Sequence, residues 1–247
     1  MDFSSVDRKK RRIDERRPLP SQTLASLREA VNLEWTYNSN AIEGNTLTIL
    51  ETKVVLEGIT VGGKSLREHM EAINHRDAIL FLEESISRRE PLSEWSIRNI
   101  HRLVLKNVDS QNAGRYRQEN VVIGGAKHRP PAHLHVQDEM KRLLAAYHEQ
   151  WAMLHPVERS ARLHGEFVKI HPFIDGNGRT ARLLMNFELM KDGFPPAVIR
   201  NDMRPEYYES LDLAHTTGQY EPFVELVARC LNASLDLYLS VLEDGMD

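Results

Sequence analysis

The chain has 247 residues, a formal net charge of −4 and a single cysteine, with 41% hydrophobic and 28% charged residues. That length can bury a sizeable core in one domain, no Pro, Gly or Ser-rich linker divides it, and the negative charge gives no global electrostatic case for nucleic acid. One cysteine excludes an internal disulfide, and with no signal peptide or apolar run of bilayer length the expectation is a cytoplasmic protein with no membrane partner.

Residues 1–20 form a basic extension in which Arg8, Lys9, Lys10, Arg11, Arg12, Arg16 and Arg17 are interrupted by Asp14 and Glu15. Such a run reads as a solvated face or tail. From Ser21 onward helical spacing dominates, beginning with Leu24, Leu27, Val31 and Trp35. Thr48 followed by Glu51 is a capping-box pattern, and Val54, Val55 and Leu56 continue it as a helix. Residues 58–65 then satisfy the P-loop pattern GxxxxGK(S/T), which opens an alternative reading, a P-loop NTPase using Lys64. That motif has meaning only between a buried strand and a helix of a parallel sheet. With helix before it and no alternating strands elsewhere, the glycines read as a helix-to-helix connection with Ser65 as N-cap.

Further helices are predicted around residues 73–82, 97–104 and 140–147, and again over 223–242. Strand evidence is limited to the neighbourhood of Val121, Val122 and Ile123. His128, His133 and His135 cluster there, and His155 and His164 follow, but HxH without a nearby Cys or acidic pair is a weak zinc signal. Surface or target-contacting histidines are expected. Cys230, between Leu226 and Leu231 on an apolar helix, reads as buried filler.

Residues 171–182, HPFIDGNGRTAR, concentrate the chemistry. A short amphipathic helix over 161–170 ends before Pro172 and leaves His171 at its exit. Residues 179–191 are apolar nearly all round and stop at Gly193 and Pro195, so they predict a core helix. The loop from Asp175 to Gly178 therefore lies at the N-terminus of a buried helix, where free N–H groups and the dipole favour an anion. Gly176 and Gly178 let the backbone approach a ligand, Arg179 and Arg182 can grip phosphates, Asp175 suits Mg²⁺, and His171 is left as proton acceptor.

At every specified position this run resembles the signature of Fic domains, HxFx(D/E)GNGRxxR. The resemblance implies an all-α fold with a small β-hairpin flap, and transfer of AMP from ATP to a Ser, Thr or Tyr hydroxyl of a target protein or of the chain itself. It implies His171 as general base, Asp175 holding Mg²⁺, Asn177 and Gly178 on the α- and β-phosphates, and Arg179 and Arg182 on the outer phosphates. The intact GNGR is unlike related Doc-type kinases, which depart from the pattern in the nest. Gly114, Arg115, Tyr116 and Arg117, followed by Val121, Val122, Ile123, Pro130 and Pro131, look like the flap, about 119–135, that docks a target segment by strand addition.

Ser39 to Asn45 looks like the family's inhibitory-helix motif (S/T)xxxE(G/N), placing that helix at about 36–45 and pairing Glu43 with Arg182. A single domain over 21–247 would hold all of these parts. Tyr207, Tyr208 and His215 fall where similar proteins contact adenine, with His215 at the place of an Asn; core packing is an equal reading for the tyrosines. Phe173 is expected to lock the loop into the core. Reverse hydrolysis of AMP-modified protein and a homodimer stay open, as does a non-catalytic adaptor that only binds an extended peptide.

Overall fold

The computed structural model describes residues 1–243, and among these it is all-helical with no strand. The helices are α1 (Ser4–Asp14), α2 (Ser21–Ile42), α3 (Ile49–Leu56), α4 (Leu66–Ser87), α5 (Glu94–Val104), α6 (Val136–Ala145), α7 (Pro156–Ile170), α8 (Asn177–Lys191), α9 (Arg204–Thr217) and α10 (Glu221–Glu243). No described helix is long and apolar enough to cross a membrane. Local chemistry sets several boundaries. Thr48 with Glu51 and Ser65 with Glu68 form reciprocal capping boxes at the starts of α3 and α4, each satisfying two otherwise orphaned N–H groups.

The core is built around α7 and α8, consecutive helices packed along each other and joined by the loop 171–176. Both feed two apolar clusters. Val157, Ala161, Met185 and Leu189 face α1, α2, α9 and α10, whereas Leu163, Phe167, Leu183, Leu184 and Phe187 face α4, α5 and α6. That two-sided burial explains why α8 is apolar nearly all round. Burial of each such side chain contributes about 1.5–3 kcal/mol, so the helix carrying the Gly-Asn-Gly turn is held on both sides.

Three expectations need correction. Of the two readings of the basic run, the solvated face holds and the tail does not: Val6 and Ile13, two turns apart, are buried on one face of α1, which packs against α10, while Lys9 pairs with Asp236 at 2.8 Å. Charges on the outer face hid this narrow apolar stripe. Residues 119–135 do not form a β-hairpin: the segment is irregular up to a 3-10 turn at His133–His135, with no ladder among the described residues. Side chains hold its arms instead, since Arg117 reaches the carbonyls of Glu119 and Pro131, and Asp212 Oδ1 accepts from the N–H groups of Lys127 and His128. His164, expected at the surface, is fully buried. The P-loop pattern follows helix α3, not a strand, and Lys64 donates to the Thr46 carbonyl at 2.6 Å.

Candidate active site

The site begins where α7 stops. His171 is the C-cap of that helix in left-handed conformation, φ 50° and ψ 59°, a geometry that costs a non-glycine residue about 1–3 kcal/mol. Arg117 holds it there. Its Nε donates to the His171 carbonyl at 2.9 Å and its backbone N–H to the Pro172 carbonyl at 2.9 Å. Burial, then the Arg117 charge, push the imidazole down to about 4, so it is neutral at neutral pH.

Below His171 the loop is fastened to the core. Phe173 is buried and stacks flat on His101, with ring centroids 3.5 Å apart. His101 accepts from the Gly114 N–H at Nδ1 and pairs through Nε2 with the Asp175 carbonyl at 2.8 Å. Those two bonds need a neutral ring with its proton on Nε2, and burial lowers the His101 pKa to about 4. Asn177 turns its side chain back onto Phe173, accepting from its N–H at 3.0 Å and donating to its carbonyl at 2.8 Å. Its amide is therefore turned onto the loop.

Gly176, at φ 75°, is the N-cap of α8; a Cβ there would lie 3.3 Å from His101 and Val104. The first N–H groups of α8 have no intrahelical acceptor and mark an anion site. Asp175 stands beside it. Burial raises its carboxyl pKa, but Arg179, the Gly176 N–H and Arg67 outweigh that and hold it below the usual range. Arg67 Nη2 binds its Oδ2 at 2.8 Å. Arg179 is buried, lies 3.3 Å from both Asp175 and Glu71, and has no hydrogen-bond partner at Nε and Nη1. An under-satisfied buried guanidinium is the kind of group that calls for an anion.

Arg182, by contrast, is saturated. Its Nε donates to Ser39 Oγ at 3.0 Å, Nη2 to the Ser39 carbonyl and to Glu43 Oε1 at 2.7 Å each, and Nη1 to the Tyr207 hydroxyl at 3.1 Å. Ser39 and Glu43 meet the same guanidinium because four residues are about one helical turn. The helix ends at Ile42, earlier than the span 36–45 expected, and Glu43 is its C-cap. A Cβ on Gly178 would fall 2.3 Å from Glu43 Oε1, so this carboxylate sits directly on the nest.

The remaining sequence-derived positions spread outward. Tyr208 is 43% exposed, with its hydroxyl 3.4 Å from the Ile42 carbonyl, at the Glu43 end of α9. Two turns on, His215 is buried, bonds the Gly165 carbonyl at 2.9 Å and packs edge-on against His128. Its ring is thus committed to the scaffold. Val122 is 83% exposed, and Val121 and Ile123 are half-buried in the irregular segment before Gly124 and Gly125.

Sequence reasoning gave no role to His101 and Arg67, read Arg117 only as part of the flap run, and did not foresee Tyr207 as a hydroxyl on Arg182. His101 left one trace, a polar residue among Ile97, Ile100 and Val104 on the buried face of α5.

Comparison with known proteins follows the same outline. A sequence model described as the Fic/DOC family matches residues 91–189. A Nematostella vectensis protein named protein adenylyltransferase Fic is 39% identical over 244 residues, covering 93% of this chain and 55% of the relative. Caenorhabditis elegans protein adenylyltransferase fic-1 is 39% identical, covering 86% and 42%. The chain thus spans about half the length of the curated relatives it matches. Among solved structures, Fic-1 (aa134–508) from C. elegans superposes with TM-score 0.88 at 35% identity, covering 98% of this chain and 72% of that one. A Fic domain containing signaling protein from Bacteroides thetaiotaomicron gives 0.89 at 31%, covering 98% and 97%.

Proposed function

The chain belongs to the Fic/DOC family, and from that premise we propose that it is a protein adenylyltransferase moving AMP from ATP to a protein hydroxyl, with Glu43 as its brake. The observation that carries the reading is the juxtaposition, at one buried helix N-terminus, of a neutral His171, an under-satisfied Arg179 and a nest already holding a carboxylate. The similarity to proteins named protein adenylyltransferase supports the choice of reaction.

ATP phosphates lie over the backbone N–H groups of residues 176–178, with Arg179 on the outer oxygens. A hydroxyl of the target, or of the chain itself, forms a bond to the α-phosphorus as the bond to pyrophosphate breaks in line. Its proton passes to a ring nitrogen of His171, which burial keeps unprotonated. Positive charge fixed around the phosphates in advance stabilises the charge that develops. Asp175 fits Mg²⁺ as the single carboxylate such an ion takes beside substrate phosphates, and it would supply charge neutralisation there. Among the described residues no group of three acidic, His or Cys side chains could hold a metal. The Arg67 ion pair must open for Asp175 to take the ion.

The irregular segment with Val121, Val122 and Ile123 lies in no ladder among the described residues; the Ile123 carbonyl accepts from the Ala126 N–H at 3.3 Å, and the remaining edge takes an extended target chain by strand addition. Tyr208 is the exposed aromatic near the site, fitted to stack on a base. His215 does not reach out and acts through the His128 contact. While Glu43 sits on Gly178 and Arg182, the γ-phosphate has no seat. The same carboxylate is placed to orient water for the reverse hydrolysis of AMP-modified protein. The experiment is incubation of a Glu43→Gly protein with ATP radiolabelled at either the α- or the γ-phosphate. Protein label from the α-position alone is the expected result; released γ-phosphate without protein label means an ATPase, and no turnover of either means an adaptor.

A further inference from the structure

Outside the site, α5 carries an open groove of about 1310 Å³ between its solvent face and residues 110–115. Trp95, Arg98 and Arg102 stand along it at spacings of three and four, one per turn; Lys106 follows past the helix end and Arg115 lines the groove from the loop. Glu94 is the one acid in that lining. Arg98 donates to the Gly114 carbonyl at 2.8 Å and lies over the Tyr116 ring, while Lys106 reaches Asp77 only at 3.8 Å. Four cations against one carboxylate, in a chain of net charge −4, are a local excess, and two of them, Arg102 and Arg115, have no carboxylate partner among the described residues. Trp95, 64% exposed, adds a large apolar surface at one end.

We infer that this groove docks an acidic segment of the protein substrate, an inference that rests on the transferase reading above. Guanidiniums bind carboxylates in planar, two-bond geometry, and an exposed Trp is a favoured anchor for an apolar side chain next to them. Trp95 to Arg102 spans about 10 Å of helix, the reach of roughly three extended residues. Nucleic acid fits less well: single-strand binders combine a basic track with several stacking aromatics, and here one aromatic and a net negative chain stand instead.

The location gives the docking a purpose. Arg115 leads through Tyr116 and Arg117 into the irregular segment, and the Gly114 N–H bonds His101, which holds the Asp175 carbonyl. A segment bound along α5 therefore tethers its protein beside the flap and raises the effective concentration of the hydroxyl.

The test uses the full chain, as wild type, Arg102→Glu/Arg115→Glu and Arg102→Gln/Arg115→Gln, each checked by circular dichroism. Fluorescence anisotropy is read with a labelled Glu-rich peptide containing one Phe, and with a labelled single-stranded RNA of equal length. The peptide is expected to bind wild type with an affinity that falls as salt rises, to lose at least about tenfold on charge reversal and about threefold on neutralisation, and to bind more tightly than RNA. No peptide binding at low salt, unchanged binding by both folded variants, or tighter binding of RNA overturns the assignment. Self-labelling of a Glu43→Gly protein carrying Arg102→Glu as its only groove change should stay within about twofold of Glu43→Gly alone. Loss of self-labelling in both would count against the transferase reading, whereas the peptide titration reads the groove by itself.

Discussion

Burial and the Arg117 charge act on His171 in the same direction, and together they keep its lone pair available well below the ordinary histidine range. A folded-state pKa near 4 means the base-competent form persists as pH falls through 6. With an ordinary histidine the neutral fraction would drop about fourfold between roughly pH 7.5 and pH 6; here labelling by a Glu43→Gly protein at subsaturating target should change by less than about 1.5-fold. An acid limb centred near 6.5 would contradict the lowered pKa of His171. Asp175 carries a second prediction, because Arg67 competes for the oxygen that a cation needs. Arg67 is largely exposed, so the pair is worth at most about 1 kcal/mol. Arg67→Ala should therefore tighten Mg²⁺-dependent ATP binding about two- to fivefold, and unchanged calorimetric affinity with and without Mg²⁺ would remove this competition. The clustering of His171, Asp175 and the two arginines was legible because they lie within twelve consecutive residues. Arg67, His101 and Tyr207 were not, since each acts on the loop from a helix distant in sequence.

At the scale of elements, helices were readable wherever an apolar stripe met a cap, as in α3 and α4 with their Thr48/Glu51 and Ser65/Glu68 boxes. The flap was misread because Val121, Val122 and Ile123 have strand propensity but no partner strand, and propensity alone does not build a ladder. Arg117 does the joining, tying residues 119 and 131 to 171 and 172. Arg117→Ala in the Glu43→Gly background should lower labelling at least about tenfold through misplacement of His171, with helical content unchanged. Labelling at the parent rate would show that the tie is dispensable. The segment 58–65 is the complementary case, a sequence match whose surroundings deny it the strand it requires. Lys64 caps the Thr46 carbonyl and should be replaceable by Ala with ATP affinity and labelling within about threefold. Loss of nucleotide binding would revive the P-loop alternative.

Across the whole molecule, α7 and α8 join the two apolar clusters, and the proposed brake spans both the chain and the core: Ser39 and Glu43 end α2, Arg182 lies in the second turn of α8 and Tyr207 stands on α9. Helical spacing ran through most of the chain, and the all-α class and the Glu43 to Arg182 pairing both came from a family resemblance. What no pattern disclosed was the tertiary arrangement around them, including α1 packed on α10 behind its charges. Because Arg182 is buried and saturated, removing Glu43 frees one guanidinium edge and clears Gly178 without dismantling the Ser39 and Tyr207 bonds that hold the side chain in place. Self-labelling from ATP radiolabelled at the α-phosphate, compared among wild type, Glu43→Gly and Glu43→Gly/Arg182→Ala at saturating Mg²⁺ and ATP, tests that arrangement most directly. The account predicts at least about a tenfold rise in the single variant and loss of that rise in the double; equal labelling by folded wild type and Glu43→Gly would contradict it.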